Sequence, residues 1–218
     1  MKNIRFNNVT AKYSNGEGIE IANFDIKQGE FVFLSGPSGA GKTTILKLIL
    51  MTLFPNRGSV EVGNFNSQTI HTKEIPLLRR QLGCVFQDFR LLDDRNVYEN
   101  IAFVLRITGH REKYIKRRTF KMLAEVGLSH KRNQMPSQLS GGEQQRIAIA
   151  RAMANDPFIV LADEPTGNLD PETSSGILDL FKVINERGTA VLMATHNRNL
   201  IDTFSYRTLQ LQHGRIIG

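Results

Sequence analysis

The sequence is poor in cysteine and has no long apolar run. Cys84 is the only cysteine among 218 residues, which excludes a disulfide framework and a zinc site built from several cysteines. We expect it to be a buried, inert thiol. The most apolar run, residues 48–54, is far shorter than the roughly 18 residues that cross a bilayer, so no membrane span is predicted. Residues 1–5 lead into polar residues rather than the apolar segment of a secretory leader, so a cytoplasmic protein is the default expectation.

Internal repeats, low-complexity tracts and a linker rich in glycine, serine or proline are also absent. The composition, with 40% apolar and 22% charged residues, is that of an ordinary globular domain and excludes disorder, collagen and coiled coil. A chain of this length buries roughly 70% of the surface that its unfolded form exposes, so it needs no metal or disulfide to form a core. The net charge of +7 favours anionic partners, which include nucleotides, nucleic acids and acidic lipid headgroups.

The apolar pattern predicts an α/β fold. Two short segments, residues 4–9 and 19–26, are separated by a polar turn, which indicates an antiparallel strand pair. Three nearly continuous apolar runs, residues 31–34, 158–162 and 190–194, are typical of parallel strands that are buried on both faces. The early and late strands therefore belong to one mainly parallel sheet.

Two further segments complete this prediction. Residues 96–128 carry charged and apolar side chains at helical spacing, which predicts a helical insert between the early and late strands. Residues 208–217 alternate around His213 and Gly214 and predict a closing hairpin.

A glycine-rich segment joins the strand near residue 31 to a helix. It fits the pattern G-x-x-x-x-G-K-[ST] and consists of Gly36, Pro37, Ser38, Gly39, Ala40, Gly41, Lys42, Thr43 and Thr44. Glycines let backbone N–H groups converge on phosphate oxygens, and the helix N-terminus adds a partial positive charge. We therefore expect a phosphate-binding loop in which Lys42 bridges the β- and γ-phosphates and Thr43 binds Mg²⁺ through its hydroxyl.

A pair of carboxylates, Asp163 and Glu164, follows the apolar strand at residues 159–162. Carboxylates at the carboxyl end of a parallel strand are typical of a second Mg²⁺ contact beside bound phosphates. We expect Asp163 to hold the metal through water and Glu164 to act as the general base that polarises the attacking water. Pro165 predicts an extended backbone at Glu164.

A third motif separates the classes of phosphate-loop protein. It opens a helix that is expected to end near Ala154, and it consists of Leu139, Ser140, Gly141, Gly142, Glu143 and Gln144. This segment resembles the signature motif of the ATP-binding cassette (ABC) ATPases, and the other motifs of that family occur in the same order along essentially the whole chain. The resemblance implies a P-loop NTPase (RecA-like) core with a mainly parallel sheet, an N-terminal antiparallel β lobe and an inserted helical lobe.

The same resemblance implies how the chain is divided. It predicts one ABC ATPase domain over residues 1–218. The nucleotide-binding core with its β lobe would cover about 1–87 and 156–218, and the helical signature lobe about 88–155.

Roles for further residues follow from the resemblance. Tyr13 matches the aromatic residue that stacks on adenine, Gln87 the glutamine that approaches Mg²⁺ and the attacking water, and His196 the histidine that reaches the γ-phosphate. The D-loop of the family matches Gly167, Asn168, Leu169 and Asp170. Because none of the motifs is degenerate, the sequence predicts a hydrolysing ATPase that uses ATP and Mg²⁺ rather than a pure binding module.

The resemblance also predicts a homodimer in the ATP-bound state. In the family two subunits face head to tail, so the signature of one subunit closes over the ATP of the other. A signature segment at a helix N-terminus is a second anion-binding site without its own nucleotide, which fits this arrangement.

Within the family, the amino-acid sequence around the motifs is similar to that of the cell-division ATPases. The matching segments are residues 87–92, 94–100, 162–170 and 192–197. The similarity implies an FtsX-like integral membrane partner, through which ATP binding and hydrolysis regulate cell-wall hydrolases. It also implies a peripheral location on the cytoplasmic face of the cell membrane, at the division site. Docking of the partner is expected at Phe89, Leu91, Leu92, Val97 and Tyr98, although each of these could instead belong to the core of the helical lobe.

Other functions stay open at this point. Lipoprotein-releasing and macrolide-export ATPases share the D-loop wording and the mechanism. The basic run at residues 110–121 includes Arg111, Lys113, Lys116, Arg117, Arg118 and Lys121; it could be a solvated helix face, a surface near anionic lipid headgroups or a nucleic-acid surface. We favour the solvated face and expect no nucleic-acid partner, since the nucleic-acid ATPases of the family need a long coiled-coil insert or zinc-binding cysteines.

Overall fold

The computed structural model describes residues 2–217, which form two β-sheets and an inserted group of helices. The strands are β1 (Ile4–Lys12), β2 (Gly18–Ile26), β3 (Phe31–Ser35), β4 (Arg57–Val62), β5 (Phe65–Asn66), β6 (Leu82–Phe86), β7 (Ile159–Asp163), β8 (Ala190–Thr195), β9 (Arg207–Gln212) and β10 (Arg215–Ile216). The helices are α1 (Lys42–Ile49), α2 (Ile75–Arg79), α3 (Val97–Ile107), α4 (Glu112–Glu125), α5 (Gly141–Ala152), α6 (Pro171–Glu186) and α7 (Arg198–Thr203).

The larger sheet has the strand order β10-β9-β3-β8-β7-β6. Its neighbouring pairs from β9 to β6 are parallel, and only β10 is antiparallel to its neighbour β9, which confirms the predicted parallel strands and closing hairpin. Because β3, β8 and β7 are adjacent and parallel, the loops that follow residues 35, 195 and 163 meet at one edge of the sheet.

The smaller sheet is antiparallel, with the order β2-β1-β4-β5, and confirms the predicted N-terminal pair. The turn of the closing hairpin ties this sheet to the glycine-rich segment. The N–H of Gly214 donates to the carbonyl of Ala40 (3.2 Å), and its own carbonyl accepts from the N–H of Glu20 (2.8 Å). Gly214 has φ +76°, and a Cβ there would lie 2.3 Å from the carbonyl oxygen of Gly18, so only glycine fits.

Two apolar cores cover the faces of the larger sheet. One lies between the two sheets and includes Val32, Leu34 and Leu48 of α1. The other lies under α6 and includes Phe33 and Phe181. This double coverage explains why β3, β7 and β8 read as continuous apolar runs.

The helical insert has a core of its own, to which α3, α4 and α5 contribute, for example, Ile101, Leu123 and Ile147. The buried side chain of Asn100 fastens the segment before α3: its Oδ1 accepts from the N–H of Leu92 (2.8 Å), and its Nδ2 donates to the carbonyls of Leu92 and Arg95 (3.1 and 3.0 Å). The predicted lobe limits at residues 88 and 155 lie in the loops before α3 and after α5.

None of the helices formed by residues 2–217 combines the length and the apolar character that a membrane crossing requires.

Cys84 is half-buried rather than buried, because it lies beside an open groove next to β6. Burial nevertheless raises the pKa of its thiol to about 11, so the thiol stays protonated near neutral pH, as expected of an inert cysteine.

Candidate nucleotide-binding site

The glycine-rich segment lies between β3 and α1, at the edge where the parallel strands end. Gly41 precedes α1 with φ +110°, and Gly39 has φ +77°, a conformation that glycine adopts without steric cost. The first four N–H groups of a helix have no intrahelical acceptors. The loop therefore presents the donor-rich N-terminus of α1 to a cleft, as an anion site requires.

Lys42, the first residue of α1, is buried at the mouth of this loop. Its Nζ donates to the carbonyl oxygens of Gly36 (2.7 Å) and Pro37 (3.2 Å) and lies 3.4 Å from Oε1 of Glu164. The ammonium group is thus held in the loop by oxygen atoms alone. Phosphate oxygens are the same kind of partner, so the position fits the predicted contact with a nucleotide.

Asp163 ends β7 directly opposite the start of α1. Its Oδ2 accepts a hydrogen bond from Oγ1 of Thr43 (3.1 Å). Burial raises the pKa of the Asp163 carboxyl, a rise that the hydrogen bond from Thr43 opposes and the charge of Glu164 increases. A half-desolvated carboxylate beside a hydroxyl offers the hard oxygen ligands that Mg²⁺ prefers, so these two residues fit the predicted metal.

The carboxylate of Glu164 connects the loop to the third strand end. Besides its ion pair with Lys42, its Oε1 lies 2.9 Å from Nδ1 of His196, and its Oε2 accepts from the backbone N–H of His196 (3.4 Å). The side chain is only 15% exposed. Glu164 and His196, two of the three residues that the sequence proposes for hydrolysis, therefore lie in direct contact.

The backbone of Glu164 corrects one prediction. Pro165 led us to expect an extended conformation, but Glu164 has φ +47°, in the left-handed region. Its N–H donates to the carbonyl of Ala194 (2.9 Å), and its own carbonyl accepts from the N–H of Gly167 (3.0 Å). The second bond closes a tight turn after β7, and the first is a tertiary contact with β8 that holds Glu164 in a conformation that local preference alone does not favour.

A cleft of about 660 Å³ contains most of the residues that are predicted to bind nucleotide and metal. Its lining includes Tyr13, Ser38, Gly39, Gly41, Lys42, Thr43, Thr44, Gln87, Asp163, Glu164 and Asn168. An adjoining cleft of about 530 Å³ is lined by Gly36, Pro37 and His196 and shares Lys42, Gln87 and Glu164 with the first. Among residues 36–44, only Ala40 lines neither cleft. It is buried, and its carbonyl accepts from the N–H of Gly214.

Tyr13 belongs to the lining of the larger cleft. Its ring is 37% exposed, and Nζ of Lys47 on α1 lies 5.7 Å from the ring centroid. An exposed aromatic face beside a phosphate loop can stack on a planar base.

The signature segment, residues 139–144, lies outside the larger cleft. No residue of 139–144 belongs to the lining of the larger cleft that residues 2–217 form. Ser140 caps α5, since its Oγ accepts from the N–H of Glu143 (3.3 Å) and Glu143 Oε2 accepts from the N–H of Ser140 (3.0 Å). The Lys131 ammonium holds the pKa of the Glu143 carboxyl below its usual range.

Three signature residues also have roles within the chain. Leu139 is buried in the core of the helical insert, so its side chain stabilises the segment that carries the signature. Gln144 donates through Nε2 to the carbonyl of Leu139 (3.2 Å). A Cβ at Gly142 would lie 2.4 Å from Cγ2 of Thr173 on α6, so this glycine lets the two helices approach each other.

We predict that Gly142→Ala destabilises the protein by about 1–3 kcal/mol, because the added methyl group overpacks the contact with Thr173. Thr173→Ser in the same chain should recover most of the loss. It removes the clashing methyl group but keeps the hydroxyl that donates to Oδ2 of Asp170 (2.6 Å). Urea unfolding of the single and double variants measures both effects. If Gly142→Ala lowered the free energy of unfolding by the same amount whether residue 173 is threonine or serine, the packing argument would be wrong.

Two D-loop residues, Leu169 and Asp170, stabilise the start of α6. Asp170 caps the helix, as its Oδ1 accepts from the N–H of Thr173 (2.9 Å). Hydrogen bonds from the Thr173 hydroxyl and from this N–H lower the pKa of the Asp170 carboxyl. Leu169 packs, partly buried, against the core under α6.

The predicted docking residues divide into two groups. Val97 is fully buried in the core of the helical insert, so it cannot be a docking contact, which corrects that prediction. Leu91 and Tyr98 pack, half-buried, against the same core. Phe89 and Leu92 are half-buried outside it.

The basic run also needs a correction at one residue. Arg118 is buried, and its guanidinium donates to the carbonyls of Ala154 (3.0 Å) and Met153 (2.7 Å), so it fixes α4 to the end of α5. The other five cations of the run are exposed, as a solvated helix face requires.

Sequence reasoning missed Arg151 on α5. Its guanidinium donates to the carbonyls of Phe89 (3.0 Å) and Arg90 (2.7 Å), and both of these residues have positive φ, +55° and +48°. Burial lowers the pKa of Arg151. A single arginine within the apolar stretch 147–154 was the available signal, but the sequence does not indicate which carbonyls it binds.

Comparisons with known proteins show what this chain is similar to. The profile of the ABC transporter family matches residues 19–167. The curated protein "Cell division ATP-binding protein FtsE" of Mycobacterium tuberculosis is 48% identical over 98% of this chain and 94% of that protein, and FtsE of Escherichia coli K12 is 48% identical over 99% and 97%.

Solved structures are similar over nearly the whole chain. The ATP-binding cassette MJ0796, in a dimeric post-hydrolysis state bound to ADP and Pi, has a TM-score of 0.87 and 36% identity, with 99% of this chain and 97% of that chain covered. CbiO1 from Clostridium perfringens, part of an ABC transporter complex, has a TM-score of 0.91 and 28% identity, with 99% and 86% covered.

Proposed function

The chain belongs to the ABC transporter family and is an ATPase of that family, and we propose that it hydrolyses ATP to drive a membrane protein of the cell-division machinery. The observation that carries the catalytic part is the position of the Glu164 carboxylate. It contacts both Lys42 and His196 at the edge of the cleft that contains the phosphate loop. A carboxylate with these neighbours can take a proton from water beside a bound γ-phosphate.

The residues of the cleft divide the work of hydrolysis. Tyr13 stacks on the adenine ring, while the loop N–H groups and Lys42 hold the β- and γ-phosphates. Glu164 accepts a proton from the attacking water while the water oxygen bonds to the γ-phosphorus. The bond between the γ-phosphorus and the β–γ bridging oxygen breaks, which releases ADP and phosphate. His196 orients Glu164 and donates toward the γ-phosphate. Mg²⁺, held by Thr43, Gln87 and, through water, Asp163, would supply positive charge to the phosphate oxygens.

We further infer that two copies of the chain form a head-to-tail dimer when ATP is bound. The support is that residues 140–142 form a helix N-terminus away from the chain's own cleft. A partner's phosphates would satisfy that anion site, and a two-fold axis would then produce two equal composite sites. The dimeric state of MJ0796 shows that a similar cassette can dimerise.

The proposed partner is an FtsX-like integral membrane protein, through which the ATPase cycle regulates cell-wall hydrolases. The chain would lie on the cytoplasmic face of the cell membrane at the division site. The names of the relatives from M. tuberculosis and E. coli support this choice over a lipoprotein-releasing or macrolide-export complex. The remaining candidates for docking are the half-buried residues Phe89, Leu91, Leu92 and Tyr98.

A capture experiment tests this proposal. The Glu164→Gln variant with ATP should form a long-lived dimer that keeps its membrane partner through purification from host membranes, and mass spectrometry identifies what is bound. The double variant Lys42→Ala/Glu164→Gln, which should not bind ATP, is the control. An FtsX-like protein with cell-wall hydrolase components is the expected result. Lipoprotein-release or export subunits would refute the cell-division role, and nucleic acid without a membrane protein would refute the partner class.

A further inference from the structure

Two side-chain amides, those of Gln87 and Asn168, pair across the larger cleft. Gln87 follows β6, and Asn168 lies in the loop between β7 and α6. Nε2 of Gln87 donates to Oδ1 of Asn168 (2.9 Å), and Nδ2 of Asn168 donates back to the backbone carbonyl of Gln87 (3.2 Å). Both residues line the cleft with Thr43 and Asp163.

The second of these bonds fixes the orientation of both amides. A backbone carbonyl can only accept, so Asn168 must direct its NH₂ group to that carbonyl. Its oxygen then faces Gln87, and an oxygen can only accept, so Gln87 must direct its own NH₂ group to Asn168. The oxygen Oε1 of Gln87 is therefore the atom left for another partner, and no residue among 2–217 donates to it.

The glycine beside Asn168 permits this contact. A Cβ at Gly167 would lie 2.9 Å from Nε2 and 3.1 Å from Cδ of Gln87, so a larger residue would displace the amide. Gly167 is not among the glycines with positive φ, so its backbone conformation does not itself require glycine. Close approach of Gln87 is the reason that the structure gives for a glycine here.

We propose that Asn168 is a positioning residue that orients the Gln87 amide, so that Oε1 faces the metal and the attacking water. The inference rests on the proposed ATPase function and assigns Asn168 a role that sequence order alone does not. Groups that orient a metal ligand typically change metal affinity or activity 10- to 100-fold when they are removed. Asn168 acts through Gln87 and does not itself contact the nucleotide.

The first test uses Asn168→Ala. We expect the Mg²⁺ concentration for half-maximal ATPase activity to rise about 10-fold. A second readout does not depend on turnover: in the Glu164→Gln background, Asn168→Ala should reduce the gain in ATP affinity that Mg²⁺ provides, as measured by calorimetry with and without EDTA. ATP affinity in EDTA should stay unchanged. Asn133→Ala, which removes an exposed asparagine of the helical insert, is the matched control and should behave as the wild type.

Two further variants separate positioning from a general structural effect. Gly167→Ala should reproduce the Mg²⁺ effect of Asn168→Ala, because it displaces the same amide while Asn168 is intact. In a Gln87→Ala background, Asn168→Ala should have almost no additional effect, since the amide that it orients is gone.

The inference is wrong if Asn168→Ala leaves the Mg²⁺ dependence unchanged, or if its effect is as large without the Gln87 amide as with it. Those outcomes leave the ATPase function in place. A wild-type protein that neither binds nor hydrolyses ATP would overturn the proposed function and this inference together.

Discussion

Glu164→Gln is expected to lower the rate constant for ATP hydrolysis by about 10²- to 10⁴-fold, the contribution typical of a general base. The glutamine amide has the same shape as the carboxylate and keeps an oxygen toward Lys42 and His196, but it cannot accept a proton from water. ATP affinity should change only a few-fold, because the phosphate loop and Tyr13 are untouched. Single-turnover phosphate release and equilibrium ATP binding measure the two quantities separately.

A matched variant guards against a general effect of removing a carboxylate. Glu186 is exposed at the end of α6 and lines neither cleft of the site, so Glu186→Gln should hydrolyse ATP at the wild-type rate. If Glu164→Gln also released phosphate at the wild-type rate, another group would have to be the base. In that case the contact between Glu164 and His196 would have a structural role only.

Lys42→Ala should weaken ATP binding by about 100-fold or more. The ammonium group is buried and held by two carbonyls and by Glu164, so it lies in position for phosphate oxygens without further ordering. Removing one partner of a buried ion pair costs about 3–5 kcal/mol, because the remaining charge is left without compensation. Here the uncompensated charges would be those of Glu164 and of the bound phosphates, so the variant should lose affinity for ATP.

Calorimetry of ATP binding measures this effect, and Lys113→Ala on the exposed face of α4 is the control for the loss of one positive charge. The control should bind ATP as the wild type does, since its charge is screened by solvent. Near-normal affinity of Lys42→Ala would show that loop N–H groups alone hold the phosphates. The two variants are thus expected to fail at different steps: Lys42→Ala at binding and Glu164→Gln at hydrolysis.

Much of the fold could be predicted because its signals are local. The continuous apolar runs that became β3, β7 and β8 indicate strands buried on both faces, and the switch to helical spacing after residue 96 indicates the insert. The phosphate loop is also a local feature, since its glycines, Lys42 and Thr43 are consecutive in sequence. Their contact with a distant strand end, such as that of Thr43 with Asp163, followed only from the topology of a parallel sheet.

The wrong predictions share a cause, which is that burial is a property of the whole fold. Val97 and Arg118 are each part of a segment that suggested exposure, yet the packing of α3, α4 and α5 encloses both. The backbone of Glu164 was misjudged in the same way. Pro165 sets a local preference, whereas a hydrogen bond to Ala194 of the distant strand β8 helps to hold the turn that is observed.

The sequence by itself determined the α/β class, the phosphate loop and the identity of the groups available for hydrolysis, because these depend on residue type and spacing over short distances. Only the tertiary structure decided that Glu164 contacts both Lys42 and His196, that Gly142 admits Thr173, and that Asn168 orients Gln87. The partners in these contacts lie 31 to 122 residues apart by their numbers. The contacts of Glu164 and Gln87 form only when the order and direction of the strands bring the ends of β3, β6, β7 and β8 to one edge of the sheet, and the contact of Gly142 forms only when α5 packs against α6.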